Sequence, residues 1–256
     1  MRVSERRRII WEVFGRLYGA YGAQGWWPVG TRPDRPPVYR PGVYVPTEPE
    51  EVWEIACGAV LTQNTSWKNV TKALQALARR GVTEPGALLQ IPESKLASII
   101  RSSGYFRQKA RRLRTLAAWF ESTRWQSLAT DELRLSLLGL SGIGPETADS
   151  ILLYAFGRPV FVVDAYTRRL TLRLGLFPGK EPHEGAGRGE IKYDDVKRLF
   201  ERFLLPSVPL YNEYHALIVK LATSVCTKSP RCERCALSGL CPAGSQHRAG
   251  RASGSL

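Results

Sequence analysis

The stretch that decides the fold is LSGIGPETADSILLYAFGRPVFVVDAYTRRL, Leu140 to Leu170. It holds a Gly-x-Gly turn, an apolar segment of helical length, and one aspartate closing the apolar run FVVD. Gly142 and Gly144 separate two apolar segments. Pro145 suits the first position of a helix and Glu146 its first turn. Such a turn lets backbone approach a ligand closely, and a helix start offers free N–H groups to a phosphate. The same residues also suit a tight hairpin between two helices with no ligand at all. Asp164 precedes the helical stretch AYTRRL, so it is expected to cap that helix. Arg168 and Arg169 behind it place positive charge beside the carboxylate, as for a phosphate-bearing ligand. No lysine occurs between Lys109 and Lys180.

Outward from this stretch the pattern is helical. Ile9, Ile10, Val13, Phe14 and Leu17 recur at helical spacing within residues 5–20. Further helices are expected near residues 50–63, 67–80, 93–102, 106–122, 131–138, 165–175, 192–204 and 210–224. Thr47 and Glu50 have the spacing of a capping box before the first of these. Residues 25–49, rich in Pro and Gly, read as a long ordered loop with Trp26 and Trp27 set against Pro28. Period-two alternation is confined to PVFVVD, so the class is all-α. The Gly-rich segment 178–190 reads as exposed and mobile, and the tail AGSQHRAGRASGSL, from Ala243, as disordered.

Lys plus Arg number 37 against 23 Asp plus Glu, a net charge of +14 in 256 residues. That excess points to a polyanionic partner, nucleic acid before an anionic membrane surface. Arginine outnumbers lysine, which favours forked contacts to phosphate. No apolar run approaches the roughly 18 residues that cross a membrane. The opening MRVSERRRIIWEVF turns amphipathic too early for a signal peptide, so a cytoplasmic location is expected.

Four of five cysteines lie within 16 residues: Cys226, Cys232, Cys235 and Cys241, with gaps of five, two and five. Four thiolates so close can wrap one centre, either [4Fe–4S] or structural zinc, and the spacing leaves both open. Cys57 reads as a core residue.

Taken together, LSGIGPETAD, VVDAYTRR and the cysteine cluster resemble the endonuclease III branch of the helix–hairpin–helix DNA glycosylases, over roughly residues 48–243. The first cysteine gap is five here, where endonuclease III usually has six. The resemblance implies a two-domain all-α fold. A six-helix barrel would span 48–160, with the helix–hairpin–helix at about 134–156. Residues 1–47 and 161–243 would form the second domain with the [4Fe–4S] cluster, followed by a tail at 244–256. Double-stranded DNA with damaged bases would lie across the cleft, met by a monomer. The cluster would shape a basic loop of Lys228, Arg231 and Arg234.

Bifunctional members carry a lysine two residues after the second glycine, where this chain has Glu146. Without an amine there is no Schiff base with the sugar, so the resemblance implies hydrolysis alone. Asp164 matches the catalytic aspartate, stabilising the oxocarbenium-like sugar or orienting water. WWP and the acidic residue in GPETAD resemble the 3-methyladenine glycosylase III subgroup, in which two aromatics sandwich the flipped base. Trp27 and Trp53 are the candidates here, with Trp26 and Pro28 in support. A cationic base gains about 2 kcal/mol per desolvated ring face. The same tryptophans could merely pin the loop to the core. Gln63, in LTQNT, matches the residue that fills the gap left by the flipped nucleotide. Tyr105, Arg107, Lys109 and Arg111 offer further contacts to phosphate. Uracil or thymine mismatches, oxidised bases, and DNA binding without chemistry are the alternative readings.

Overall fold

The computed structural model describes residues 1–177 and 191–245. The expectations for the 178–190 segment and for the tail from 246 onward fall outside them. Among the described residues there are eleven α-helices and no strand, only an isolated bridge between Val29 and Val38. The class is therefore all-α. No helix among the described residues is long and apolar enough to cross a membrane.

The chain divides into two compact units, Gly25–Val160 and Met1–Gln24 with Phe161–Leu256. The expected domain limits placed 25–47 with the N-terminal helix; the structure corrects this. Three anchors tie the segment to helix α2 (Pro49–Leu61). Glu54 accepts from the Gly30 and Thr31 N–H groups at 2.9 and 3.1 Å, and also from the Thr31 hydroxyl. Arg40 pairs with Glu51 at 2.8 Å. The Trp27 indole lies on Gly58, where an added Cβ would sit 3.1 Å from the ring. The expected Thr47–Glu50 capping box does not form: Glu48 is the N-cap, without a side-chain cap bond. Pro49 takes the first helical position, so Thr47 N–H reaches Glu51, not Glu50, at 2.8 Å.

The Gly25–Val160 unit continues with α3 (Trp67–Ala78), α4 (Pro85–Leu89), α5 (Glu93–Ile99), α6 (Phe106–Ser122), α7 (Thr130–Leu138) and α8 (Pro145–Ser150). Five residues make α4, too short to leave a periodic signal. Helix α6 packs on α4 and α5. Val60, Leu61, Val70, Leu88, Leu96, Leu113 and Leu137 are fully buried. Helix α8 runs on into a π-turn, Ile151–Ala155, that is buried throughout. The hairpin joins α7 to α8. Asp149, fully buried, is forked by Arg134 at 2.7 and 3.1 Å, which locks the two helices together.

The other unit holds α1 (Val3–Tyr21), α9 (Ala165–Arg173), α10 (Tyr193–Phe203) and α11 (Val208–Ser224). Ile10, Val13 and Leu17 line the buried stripe of α1. Tyr214 of α11 donates to Ile10 O at 2.8 Å. Among the described residues the FVVD run pairs with no strand. Side chains of α10 take its backbone donors instead: Phe161 N–H to Glu201 at 2.9 Å and Val163 N–H to the Tyr193 hydroxyl at 3.3 Å. Residues 242–245 form a helical turn, which moves the expected start of the tail beyond 244.

Candidate functional site

Asp164 is the N-cap of α9, with the β-region backbone that such a cap requires. Its Oδ1 accepts from the Thr167 N–H at 2.7 Å and the Thr167 hydroxyl at 2.8 Å. Its Oδ2 lies 3.7 Å from Nε2 of His215 on α11. Burial alone would raise the carboxyl's pKa. His215 and both Thr167 donors outweigh it and hold the group below the ordinary carboxylate value. The start of α9 adds partial positive charge in the same sense. Asp164 is thus a fixed, ionised carboxylate at neutral pH. His215, 5% exposed, was not foreseen. Its only sequence signal is a rare histidine, one of three, inside the apolar stretch YHALIVKLA.

Helix α9 carries charge at its other end too. Arg173 donates to Cys226 Sγ at 3.0 Å and to the Thr227 carbonyl at 2.8 Å. Arg169 donates to the Ala222 and Cys226 carbonyls at 3.2 and 2.8 Å, and its guanidinium lies over Tyr166. Arg169, expected to meet DNA, instead grips the cysteine segment. Arg168, half-buried, flanks it. Nine helical residues, about 13 Å, thus join Asp164 to the cysteine segment.

Cys226, Cys232, Cys235 and Cys241 line one cavity with Arg173 and Pro230, and none forms a disulfide. Burial first, and the neighbouring sulfurs next, raise the Cys235 and Cys241 thiols, so a cationic centre would relieve their crowding. Among the described residues no three His, Cys, Asp or Glu side chains are set to hold a single metal ion. Four thiolates lining one cavity are a donor set that fits a [4Fe–4S] centre or structural zinc. Arg231 turns back to the Ser224 carbonyl, and the Lys228 carbonyl accepts from Arg173 at 3.2 Å.

In the Gly25–Val160 unit the hairpin glycines are exposed. Gly142 has φ +83°, a left-handed conformation that glycine adopts freely. Glu146 sits exposed in the first turn of α8. Gln63 reaches the hairpin: its Nε2 donates to Gly142 O at 3.1 Å and to Thr147 Oγ1 at 2.9 Å. Tyr105 is 66% exposed, in a left-handed turn before α6. Lys109 is not a surface cation. It is fully buried and donates to the Leu61 and Ser103 carbonyls at 2.9 and 2.6 Å. Burial, helped by the charge of Arg112, lowers its pKa to about 8.

The expected Trp27–Trp53 sandwich needs correction. Trp27 belongs to an aromatic group with Trp26 (5.8 Å), Trp67 (5.5 Å) and Tyr154 (5.2 Å). Trp53 is 3% exposed and meets Phe120 edge-on at 5.2 Å, in the core. The cause is helical phase. Trp27 docks at Gly58, five residues beyond Trp53, which is about 140° around α2. Trp67 and Tyr154 were missed because contacts between distant elements leave no local pattern.

A helix–hairpin–helix, an ionised aspartate capping the next helix, and a four-cysteine loop define the architecture of the endonuclease III-like DNA glycosylases. The chain belongs to the HhH-GPD superfamily of base excision DNA repair proteins, whose family model matches residues 57–188. It is 37% identical over 240 residues to a protein of Methanocaldococcus jannaschii inferred to be a DNA repair glycosylase, covering 91% of this chain and 96% of that one. A solved non-covalent endonuclease III–DNA complex shares the fold, with TM-score 0.72 and 21% identity over 95% of this chain and 98% of that one. The 3-methyladenine DNA glycosylase of H. pylori bound to 1,N6-ethenoadenine gives TM-score 0.61 and 26% identity over 85% of this chain and 97% of that one.

Proposed function

We propose that this glycosylase is monofunctional. It hydrolyses the N-glycosidic bond of damaged bases in double-stranded DNA, N-alkylated purines first, and leaves an intact abasic site. The observation that carries this is Asp164, an ionised carboxylate fixed through one oxygen. When the base leaves it takes the bonding electrons, and the sugar acquires oxocarbenium character. A fixed negative charge stabilises that cation at no cost of reorganisation, and water then adds to the sugar carbon. An ionised Asp164 cannot also supply a proton to the departing base. An alkylated purine needs none, because it carries its own positive charge and leaves neutral. Glu146 offers no amine, and Lys109 is buried on two carbonyls, which supports hydrolysis without a Schiff base. The aromatic group around Trp27, with Trp26 in support, is the candidate face for the extruded base.

Cys226, Cys232, Cys235 and Cys241 would hold a [4Fe–4S] cluster, with zinc as the alternative. When bound, that centre supplies a structural anchor for the basic loop of Lys228, Arg231 and Arg234, in which Arg231 turns back to the Ser224 carbonyl and the net positive charge favours a phosphate backbone. Arg169 and Arg173 tie this loop to the helix that begins at Asp164. We place the protein in the cytoplasm with the nucleoid, acting as a monomer.

A second reading, excision of uracil or mismatched thymine, draws on one observation: Trp53 lies in the core. With one ring set in place of a two-sided sandwich, the preference for a cationic base weakens. The test is to incubate pure protein with methylated DNA, and separately with defined uracil, thymine-mismatch and oxidised-base duplexes. Free bases are identified by mass spectrometry. Release of 3-methyladenine supports the first reading, and release of uracil or thymine alone replaces it with the second. Tight binding to abasic duplex with no base released from any substrate overturns the glycosylase reading in favour of a DNA-binding module.

A further inference from the structure

Helix α6 sends two cations, one turn apart, to the same short segment. Lys109 holds the Leu61 carbonyl at the end of α2. Arg112, three residues on, donates from Nη1 to Gln63 Oε1 at 2.5 Å. Gln63 in turn spends both amide hydrogens on Gly142 O and Thr147 Oγ1. The Arg112 side chain also occupies the space over Gly142. A Cβ there would lie 2.2 Å from Nε, 2.7 Å from Cδ and 2.8 Å from Cγ. Gly142 is thus required twice, for its positive φ and for the berth of this side chain.

We propose that Arg112 is a positioning residue. It fixes the rotamer of Gln63 and joins it to the hairpin, so that Gln63 meets the duplex already ordered. This rests on the reading of Gln63 as the side chain that enters the gap in lesion DNA. A free glutamine side chain on a loop must be ordered on binding, and that cost reduces affinity. Arg112 settles it beforehand. Its charge serves the amide of Gln63, not a phosphate.

The test is a double-mutant cycle on the full-length protein, reading affinity for a duplex with a stable abasic-site analogue. The variants are Arg112→Met, Gln63→Ala and the two combined. Each single change is expected to weaken binding about tenfold, and the double change no more than threefold beyond either. Arg112→Gln keeps a donor and most of the stem without the charge, and is expected to restore most of the affinity. The salt dependence of Arg112→Met binding should match wild type. Additive effects, no rescue by Arg112→Gln, and a salt slope lowered by about one would make Arg112 a direct phosphate contact and overturn the proposal. Arg112→Gln and the salt slope remain readable even where Arg112→Met folds poorly. Wild-type protein that releases no base and ignores abasic sites would remove the underlying reading. An active wild type with additive variants removes only the role of Arg112.

Discussion

Asp164→Asn separates the two roles that one side chain performs. As a cap, Asp164 uses Oδ1 alone, accepting from both Thr167 donors. An asparagine carbonyl can do the same, so the helix start survives. What disappears is the charge. A carboxylate about 4 Å from a developing sugar cation, at an effective dielectric constant near 20, is worth about 4 kcal/mol. That corresponds to roughly a thousandfold in rate. Asp164→Asn should therefore lose about three orders of magnitude in single-turnover excision and keep its melting temperature within a few degrees. Asp164→Ala should lose the same activity and about 1 kcal/mol of stability besides, because the cap goes too. The wild-type pH profile adds a constraint. Asp164 sits below its ordinary value of 3.8, so its contribution to stability is fully present above that pH and lost as pH falls through the depressed one. No acid limb in the excision rate should therefore come from this group near neutrality. The assay is a lesion duplex under enzyme excess, paired with thermal melting. An asparagine variant within tenfold of wild-type excision would refute the electrostatic argument. One that unfolds would show that the charge, not the oxygen, makes the cap.

Arg134→Met strips the forked partner from fully buried Asp149 and should cost about 3–5 kcal/mol, roughly 6–20 °C in melting temperature; a loss under 1 kcal/mol would refute it. Lys109 has a folded pKa of about 8 against an ordinary 10.5, so the unfolded chain binds more protons between those values. Wild-type stability relative to Lys109→Met should therefore rise by up to about 3 kcal/mol from pH 8 to 10.5, and a flat difference in chemical denaturation would contradict the burial. Protein isolated under reducing conditions should be brown and contain iron with acid-labile sulfide, lost together in Cys232→Ser; stoichiometric zinc without sulfide would replace the cluster assignment. Borohydride during turnover should trap no protein–DNA adduct, and a trapped adduct would identify an amine nucleophile and end the monofunctional reading.

The parts of this protein that sequence reveals are those in which chemistry and local geometry share a few consecutive residues. The hairpin is legible because Gly142 needs a positive φ and Pro145 a helix start, both within four residues. Asp164 is legible because a helix cap is a local event. The cysteines are legible because their spacing is short. The corrected residues depend on rotation around a helix or on partners far along the chain. Trp53 and Trp27 look equivalent in one dimension, yet Gly58 sets the docking point of Trp27 on another side of α2. Lys109 and Arg111 look alike as cations, but they stand on opposite sides of α6: one fully buried on carbonyls, the other exposed and 3.9 Å from Glu93. Arg169 looks like a phosphate contact until its distant acceptor is known, Cys226 O fifty-seven residues away, and Arg112 carries no local signal of its bond to Gln63, forty-nine residues away. A guanidinium has five donors, and an unsatisfied carbonyl or amide oxygen nearby competes with any phosphate for them. In a chain with a net charge of +14, composition therefore marks the partner as polyanionic, while the internal acceptors decide which arginines remain to meet it.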